Sequence, residues 1–333
     1  MSDVKKIIIT GITGQDGSYL SEYFLSQGHE VYGFTRDPDT KCSKNIEHLK
    51  GKVKLIYTNY DPYSLIDLLK QIKPTEIYNF AGQSSINKSW EMIEDTIHAT
   101  AILPIHLLEA IVRVDKGIKF FQPSSCEIFS AKEDEVLTEN SAIATVSPYG
   151  CSKAFAQNML SAFRKKYNLF AATGIVFHHE SPRRHENFVS RKVVRAAVLI
   201  KLGLEKQLAL GNLSVERDWG YAPDYVVAMA KMMSLSAPQD LVLCTGETHK
   251  LEHLVEQVFS LLDLDYKKYV KSDPVFFRAT EPKSVRGSNK KAHDLLDWQP
   301  RVNFSAMLKK MVDFEMKLQT GKEKDYENEN PFS

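Results

Sequence analysis

Cysteine is scarce. Four occur in 333 residues, Cys42, Cys126, Cys151 and Cys244, with no CxxC spacing. That excludes a disulfide framework and a paired-cysteine metal site, and it predicts reduced thiols. An excess of charge of either sign is also missing: Lys plus Arg number 43 against 42 Asp plus Glu, for a formal net charge of +1. No global field therefore directs the chain to nucleic acid or to an anionic membrane surface, and any anion site has to be local. Long apolar runs are absent as well. The N-terminal MSDVKKIIIT is too short for a signal peptide, and no later segment approaches the roughly 20 residues of a membrane span. These absences predict a soluble, cytoplasmic protein with neither a nucleic-acid nor a membrane partner.

What is present is enough apolar material, 43% of the chain, for one large α/β unit or a nucleotide domain with a smaller companion. Lys5 to Thr10 is a short β-branched run that reads as a buried parallel strand. It enters Gly11-Ile12-Thr13-Gly14-Gln15-Asp16-Gly17, followed by the helical spacing of SYLSEYFLSQG. Strand, glycine turn and helix are the context of a dinucleotide fingerprint: glycines let the backbone approach a pyrophosphate that faces a helix N-terminus. The spacing is Gly-x-x-Gly-x-x-Gly.

Glu30 to Thr35 reads as a second strand, and it ends in Arg36 rather than in an acid. A guanidinium there suits a 2′-phosphate, so NADP is favoured over NAD. Strands at Val53 to Tyr60, Glu76 to Ala81 and Lys119 to Ser125 alternate with helices at SLIDLLKQI and around Ile93 to Val112. The alternation predicts a doubly wound parallel sheet, with ligands beyond the carboxyl ends of its strands. One crevice then collects Gly11 to Gly17, Asn59-Tyr60, Ala81-Gly82-Gln83-Ser84 and Ser125-Cys126-Glu127.

The next element begins Ser147-Pro148-Tyr149-Gly150-Cys151-Ser152-Lys153. Ser147 is an N-cap and Pro148 suits the first helical position, so Tyr149 and Lys153, four apart, share a face. A lysine ammonium beside a phenol lowers its pKa towards working pH and makes a general base of it. With the Ser125 hydroxyl and the Glu127 carboxylate at the neighbouring strand end, the set can oxidise a carbinol and then remove the proton that oxidation makes acidic. A plain dehydrogenase has no need of Glu127.

Further on, Ala171 to His179 reads as a strand running into His178-His179-Glu180-Ser181-Pro182-Arg183-Arg184-His185. The three histidines lack a metal-ligand spacing and no metal is expected; the arginines and Lys192 suit a phosphate-bearing ligand, which Arg217 and Arg278 would help to clamp. Leu241 to Thr245 is another strand, and amphipathic helices follow near Leu251 to Leu262 and Phe304 to Lys317. The expected division is a cofactor domain over 1–175, completed by segments near 213–248, and a substrate lobe from 176–212 and 249–323, with 324–333 a mobile tail.

Together these residues resemble the extended short-chain dehydrogenase/reductase superfamily and, within it, the GDP-mannose 4,6-dehydratases. The carriers are Gly11 to Leu20, Ala81 to Ser84, His179 to Arg184, Phe188 to Lys192, Leu210-Gly211-Asn212-Leu213, Arg217 to Gly220 and Arg278-Ala279-Thr280-Glu281. The resemblance implies a Rossmann domain with a smaller C-terminal lobe, a GDP-linked sugar as substrate, and NADP regenerated at each turnover. It implies that Tyr149 deprotonates the C4 hydroxyl, that Lys153 lowers the phenol pKa and holds the nicotinamide ribose, and that Glu127 takes the C5 proton. Ser125, where threonine is usual, would bond the C4 oxygen. Gly11, Gly14, Gln15, Asp16, Gly17, Arg36, Asn59, Tyr60, Ala81 and Gln83 would hold the cofactor. Ser84 and His178 would meet the sugar and diphosphate, and Val189, Lys192, Arg217, Arg278 and Glu281 the GDP portion.

The chain departs from the family pattern at several places. Ser125-Cys126-Glu127-Ile128-Phe129-Ser130 stands for Thr-Ser-Glu-Leu-Tyr-Gly, His178 for an asparagine and His185 for a glycine, all on the hexose side, so a heptose or another GDP-sugar stays open. Asp37 replaces a second arginine used between subunits, and Asn59-Tyr60 replaces Asp-Leu; a homodimer or homotetramer is expected. Besides a 4,6-dehydratase, a 4-keto reductase, 4-dehydrogenase or epimerase and a non-catalytic NADP-binding sensor fit the scaffold.

Overall fold

The structure, a computed structural model, describes residues 4–36, 43–130, 135–277, 282–322 and 330–332. Seven parallel strands form its main sheet: β1 (Lys6–Thr10), β2 (Glu30–Thr35), β3 (Lys54–Tyr57), β4 (Glu76–Asn79), β5 (Lys119–Ser125), β6 (Ala171–Val176) and β7 (Asp240–Leu243). Their order is β7-β6-β5-β4-β1-β2-β3, and every pairing is parallel. The chain reverses direction across the sheet between β1 and β4, which opens a crevice at their carboxyl ends.

Successive residues of a strand face opposite sides, and the core divides accordingly. Ile7, Ile9, Tyr78, Phe121 and Ala172 pack with helices α1 (Gln15–Ser26) and, later in the chain, Ala222–Met233. Ile8, Ile77, Phe120 and Ala171 pack on the other face with α2 (Pro62–Ile72), α3 (Ile93–Val114) and α4 (Pro148–Tyr167). Strands buried on both faces explain the near-continuous apolar runs. A separate core joins α5 (Val189–Lys201) to the helices Leu251–Ser260 and Phe304–Gln319.

Helix α3 corrects one expectation. It spans 22 residues and contains an 18-residue stretch with a mean hydropathy of 1.5, long and apolar enough by composition to cross a membrane, yet half of that stretch is buried inside the fold. It is not one regular helix: Ile93–Ile97 and Leu103–Val114 are α-helical, and His98–Ile102 between them is a π-helical turn. Pro104 accounts for the turn, because it offers no N–H to the Thr100 carbonyl and its ring would crowd that oxygen in a regular helix.

Four strands end earlier than the sequence predicts, β4 at Asn79 and β7 at Leu243 by two residues each and two others by three. The third stops at Tyr57 rather than Tyr60, since Tyr60 takes a left-handed backbone with φ +61° that no strand continues. The run from Ala171 divides after Val176, and His178–Glu180 pairs instead with Trp219–Tyr221. A four-stranded sheet joins Val136–Leu137, Glu216–Arg217, His249–Lys250 and Ser284–Gly287; it interleaves segments that the sequence assigns to both expected domains.

Candidate active site

A cavity of about 940 Å3 opens at the carboxyl ends of β1, β4, β5 and β6. Gly11, Gly14, Gln15, Asp16 and Gly17 form one wall, Gln83 and Ser84 another; Ser125, Glu127, Tyr149 and Lys153 stand at the middle, and His178, Val189, Lys192 and Arg217 line the far side. The sequence therefore brought most of its candidates to one place.

The glycine turn is built for close approach. Gly11 has φ +63°, and a Cβ there would lie 2.6 Å from the Phe80 carbonyl carbon; a Cβ on Gly17 would lie 2.5 Å from the Gly11 oxygen. Only glycine fits either position. Gly14 caps α1 without any side-chain hydrogen bond to the first amides of the helix. Those donors, beside a helix dipole's positive end, suit a pyrophosphate. At the switch between strands, Thr10 donates to Asn79 Oδ1 at 2.5 Å and accepts from the Ala81 amide at 3.0 Å. Ala81 thus supports the turn from behind and lies outside the cavity lining.

Helix α4 starts as expected. The Ser147 hydroxyl accepts from the Gly150 amide at 3.0 Å, with Pro148 in the first turn. The Tyr149 amide donates to Ser89 Oγ at 3.3 Å. Burial pushes the Tyr149 phenol up, and a hydrogen bond with the Ser125 side chain opposes that rise. The Lys153 ammonium donates to the Pro123 carbonyl at 2.8 Å and lies over the Tyr149 ring, 5.7 Å from its centre. Burial also depresses Lys153 to about 8, with the Asp16 carboxylate pulling the other way.

Asp16 is held from the opposite side by His179, whose Nε2 lies 3.0 Å from its carboxylate. His179 Nδ1 faces the Phe177 carbonyl at 2.7 Å, and its ring stacks on Tyr225 at 4.9 Å. Gln15 donates to both the Asp16 carboxylate, at 3.1 Å, and the His179 carbonyl, at 3.0 Å, and accepts from Ser181 at 2.7 Å. Burial raises Asp16, but the facing imidazolium outweighs it and holds the carboxyl below its usual range; burial lowers His179, and the carboxylate holds it above. Sequence reasoning missed this pair, since 163 residues separate its members.

On the far side Lys192 donates to the Ala209 carbonyl at 2.8 Å, and Arg217 to Glu216 and Pro282 carbonyls at 2.7 and 3.0 Å. Arg184 lines the cavity in an ion pair with Glu180 at 3.1 Å. Arg183, expected beside a phosphate, instead clasps α1 through Glu22, Ser18 and the face of Tyr19. The sequence overlooked Gln207 to Asn212 and Phe276 as lining residues. Their signal was Leu210-Gly211-Asn212, named only for the family resemblance; a Cβ on Gly211 would lie 2.6 Å from the Phe276 oxygen.

Besides Ala81, three cofactor candidates stand apart from the cavity. Arg36 and Asn59 are exposed, while Tyr60 is buried under the glycine turn, its phenol hydrogen-bonded to the Gly11 backbone and near Arg36, with burial pushing it up. Arg278 and Glu281 lie outside the described residues.

Residues 8–311 match the family described as GDP-mannose 4,6 dehydratase. GDP-mannose 4,6 dehydratase 2 of Arabidopsis thaliana is 40% identical over 327 residues, covering 94% of this chain and 87% of the relative. The GDP-mannose 4,6 dehydratase of Cricetulus griseus is 37% identical over 342 residues, with 94% and 92% covered. A solved dTDP-glucose 4,6-dehydratase from Bacillus anthracis superposes with a TM-score of 0.83 at 20% identity, over 95% of this chain and 98% of that one, which is likeness of fold. The chain belongs to the GDP-mannose 4,6 dehydratase family.

Proposed function

We propose that the chain is a hydro-lyase that converts GDP-mannose, or a closely related GDP-sugar, to its 4-keto-6-deoxy derivative with NADP as a returning cofactor. The observation that carries this reading is the carboxyl of Glu127 in one cavity with Tyr149, Ser125 and Lys153. Oxidation and reduction at C4 need the last three; removal of a C5 proton needs an acid-base group beside them.

The residues fit the cofactor. The glycines at 11, 14 and 17 leave a cradle that a Cβ would fill, the uncapped amides of α1 suit its pyrophosphate, and Arg36 at the end of β2 suits a 2′-phosphate. The bound nicotinamide supplies a place for a hydride to rest between two steps. This chain's side chains do the rest. Ser125 orients the C4 oxygen, Tyr149 takes its proton, and Lys153 carries the positive charge that favours the phenolate. Glu127 takes the C5 proton and passes one to the departing C6 hydroxyl, which leaves as water. Lys192, Arg184 and Arg217 offer cations to a diphosphate.

For assembly we propose a second copy of the chain against α3 and α4. Ile93 and Ile97 on the first helix, and Phe155 on the second, are exposed, as are Trp90 and Met92 just ahead of α3, a contiguous apolar face of the kind soluble proteins cover.

The direct test incubates purified protein with GDP-mannose and no added cofactor, read by mass spectrometry. Loss of one water without net cofactor turnover is expected. Loss of two hydrogens with stoichiometric NADPH would instead make it a 4-dehydrogenase.

A further inference from the structure

Two of the chain's departures from its family meet at one point. Cys126 and Glu127 lie on the single turn that follows β5, and His178 begins the short strand after β6. Because β5 and β6 pair in register up to Ser125 opposite Val176, residues just beyond that pair are brought side by side. One ligand atom from each, the Cys126 sulfur, a Glu127 carboxylate oxygen and a His178 ring nitrogen, lies within 4.8 Å of the others. All three line the cavity.

We propose that Cys126, Glu127 and His178 form a binding site for a zinc-class divalent cation, and that filling it stops turnover. The binding stands on this geometry alone, whereas the inhibition rests on the dehydratase reading, in which Glu127 moves protons.

The ligand set is one sulfur, one imidazole and one carboxylate, each a ligand type that zinc takes, and three protein ligands leave a fourth position for water. Zinc-to-ligand distances of about 2.0–2.3 Å at tetrahedral angles put ligand atoms roughly 3.5 Å apart. From at most 4.8 Å the three groups need to converge by up to about 1.3 Å per pair, within the reach of side-chain torsions. A thiolate and a carboxylate together balance the 2+ charge. Burial holds the free Cys126 thiol protonated, and nearby Arg217 and Asp218 push it in opposite directions; metal binding displaces the thiol proton to solvent. Serine and asparagine, the residues that Cys126 and His178 stand for in the resemblance, offer no comparable soft donors. The spacing of the three histidines along the chain could not reveal the site, since it uses one of them and takes its other ligands from the turn after β5.

The test begins with chelator-treated full-length protein titrated with Co2+ and, separately, Zn2+. One Co2+ per chain is expected, with a thiolate-to-cobalt charge-transfer band in the near ultraviolet that Zn2+ displaces. Zn2+ should lower turnover of GDP-mannose about tenfold or more, and chelator should restore it. In Cys126→Ser the band should vanish and zinc sensitivity should weaken on the order of 10–100-fold, while metal-free turnover persists. No charge-transfer band, or undiminished zinc inhibition of Cys126→Ser, overturns the proposal. Should that variant misfold, His178→Asn read by the cobalt band alone decides: an unchanged band is equally fatal. A metal-free wild type that binds cobalt but makes no product would fault the dehydratase reading and leave the site intact.

Discussion

A Cβ placed on Gly150 would stand 2.4 Å from the carbonyl oxygen of Glu127. The helix that carries Tyr149 and Lys153 is therefore seated directly on the turn that carries Glu127, and glycine is what permits the contact. Gly150→Ala has to push these two groups apart. We expect at least about a 100-fold loss in kcat/KM, since displacements near 1 Å cost that much in a positioned site. Steady-state kinetics with a far-ultraviolet spectrum to confirm folding checks it.

Glu127→Gln removes the group assigned to C5 while leaving Ser125, Tyr149 and Lys153 in place. Oxidation at C4 should survive and water loss should fall by roughly 100-fold or more, the usual scale of acid-base catalysis. Transient NADPH absorbance together with product mass reads both steps. Near-normal turnover would remove Glu127 from its role.

With Lys153 at about 8, the ammonium is present below that pH and is lost as pH rises through it. Binding of NADP to the free protein should weaken above pH 8, and Lys153→Met should flatten that limb. Fluorescence titrations across pH 6.5 to 9.5 would show it, on about this scale. The stability sign is opposite. The unfolded chain holds this proton up to the ordinary lysine range, so the residue's contribution to stability improves from about pH 8 upward.

The Asp16–His179 pair makes a stability prediction with a defined window. Asp16 is depressed, so its contribution is present above its ordinary value of 3.8 and lost as pH falls; His179 is raised, so its contribution is present below 6.5 and lost as pH rises through its folded value. The pair is strongest between those limits. His179→Gln should cost on the order of 3 kcal/mol near pH 5 and less near pH 9, measured by urea unfolding at the two pH values.

Phe155→Glu places a charge in the exposed apolar face of α3 and α4. If a second copy covers that face, light scattering should find a smaller assembly. An unchanged mass would relocate the interface.

Local signals carried well from sequence to structure. Strand, glycine turn and helix at β1 and α1, and the Ser147-Pro148 start of α4, are decided within a few residues, so the chain displays them. What stayed hidden depends on distant partners. Lys153 was expected beside the phenol, and no local pattern shows that it also donates to the Pro123 carbonyl, 30 residues away. Asp16 read as a cofactor contact; it lines the cavity and also pairs with His179, a partner that arrives from beyond the end of β6. Arg183 read as a phosphate ligand because no sequence pattern shows Glu22 facing it. Tyr60 read as part of the crevice because a left-handed backbone at a tyrosine has no sequence signal.

The π-helical turn at His98–Ile102 gives α3 two loyalties. Inserting the equivalent of one residue rotates everything downstream by about 100° relative to a regular helix. Below the turn, Leu103, Leu107, Leu108 and Ile111 point into the core; above it, Ile93 and Ile97 point outward. At the turn itself, the Thr100 hydroxyl accepts from the Gln83 amide at 3.2 Å, and so braces the loop beside the cavity. Deleting one residue there would restore a regular helix at the expense of its division of labour: a straightened α3 could serve its own fold or a neighbouring molecule, but no longer both.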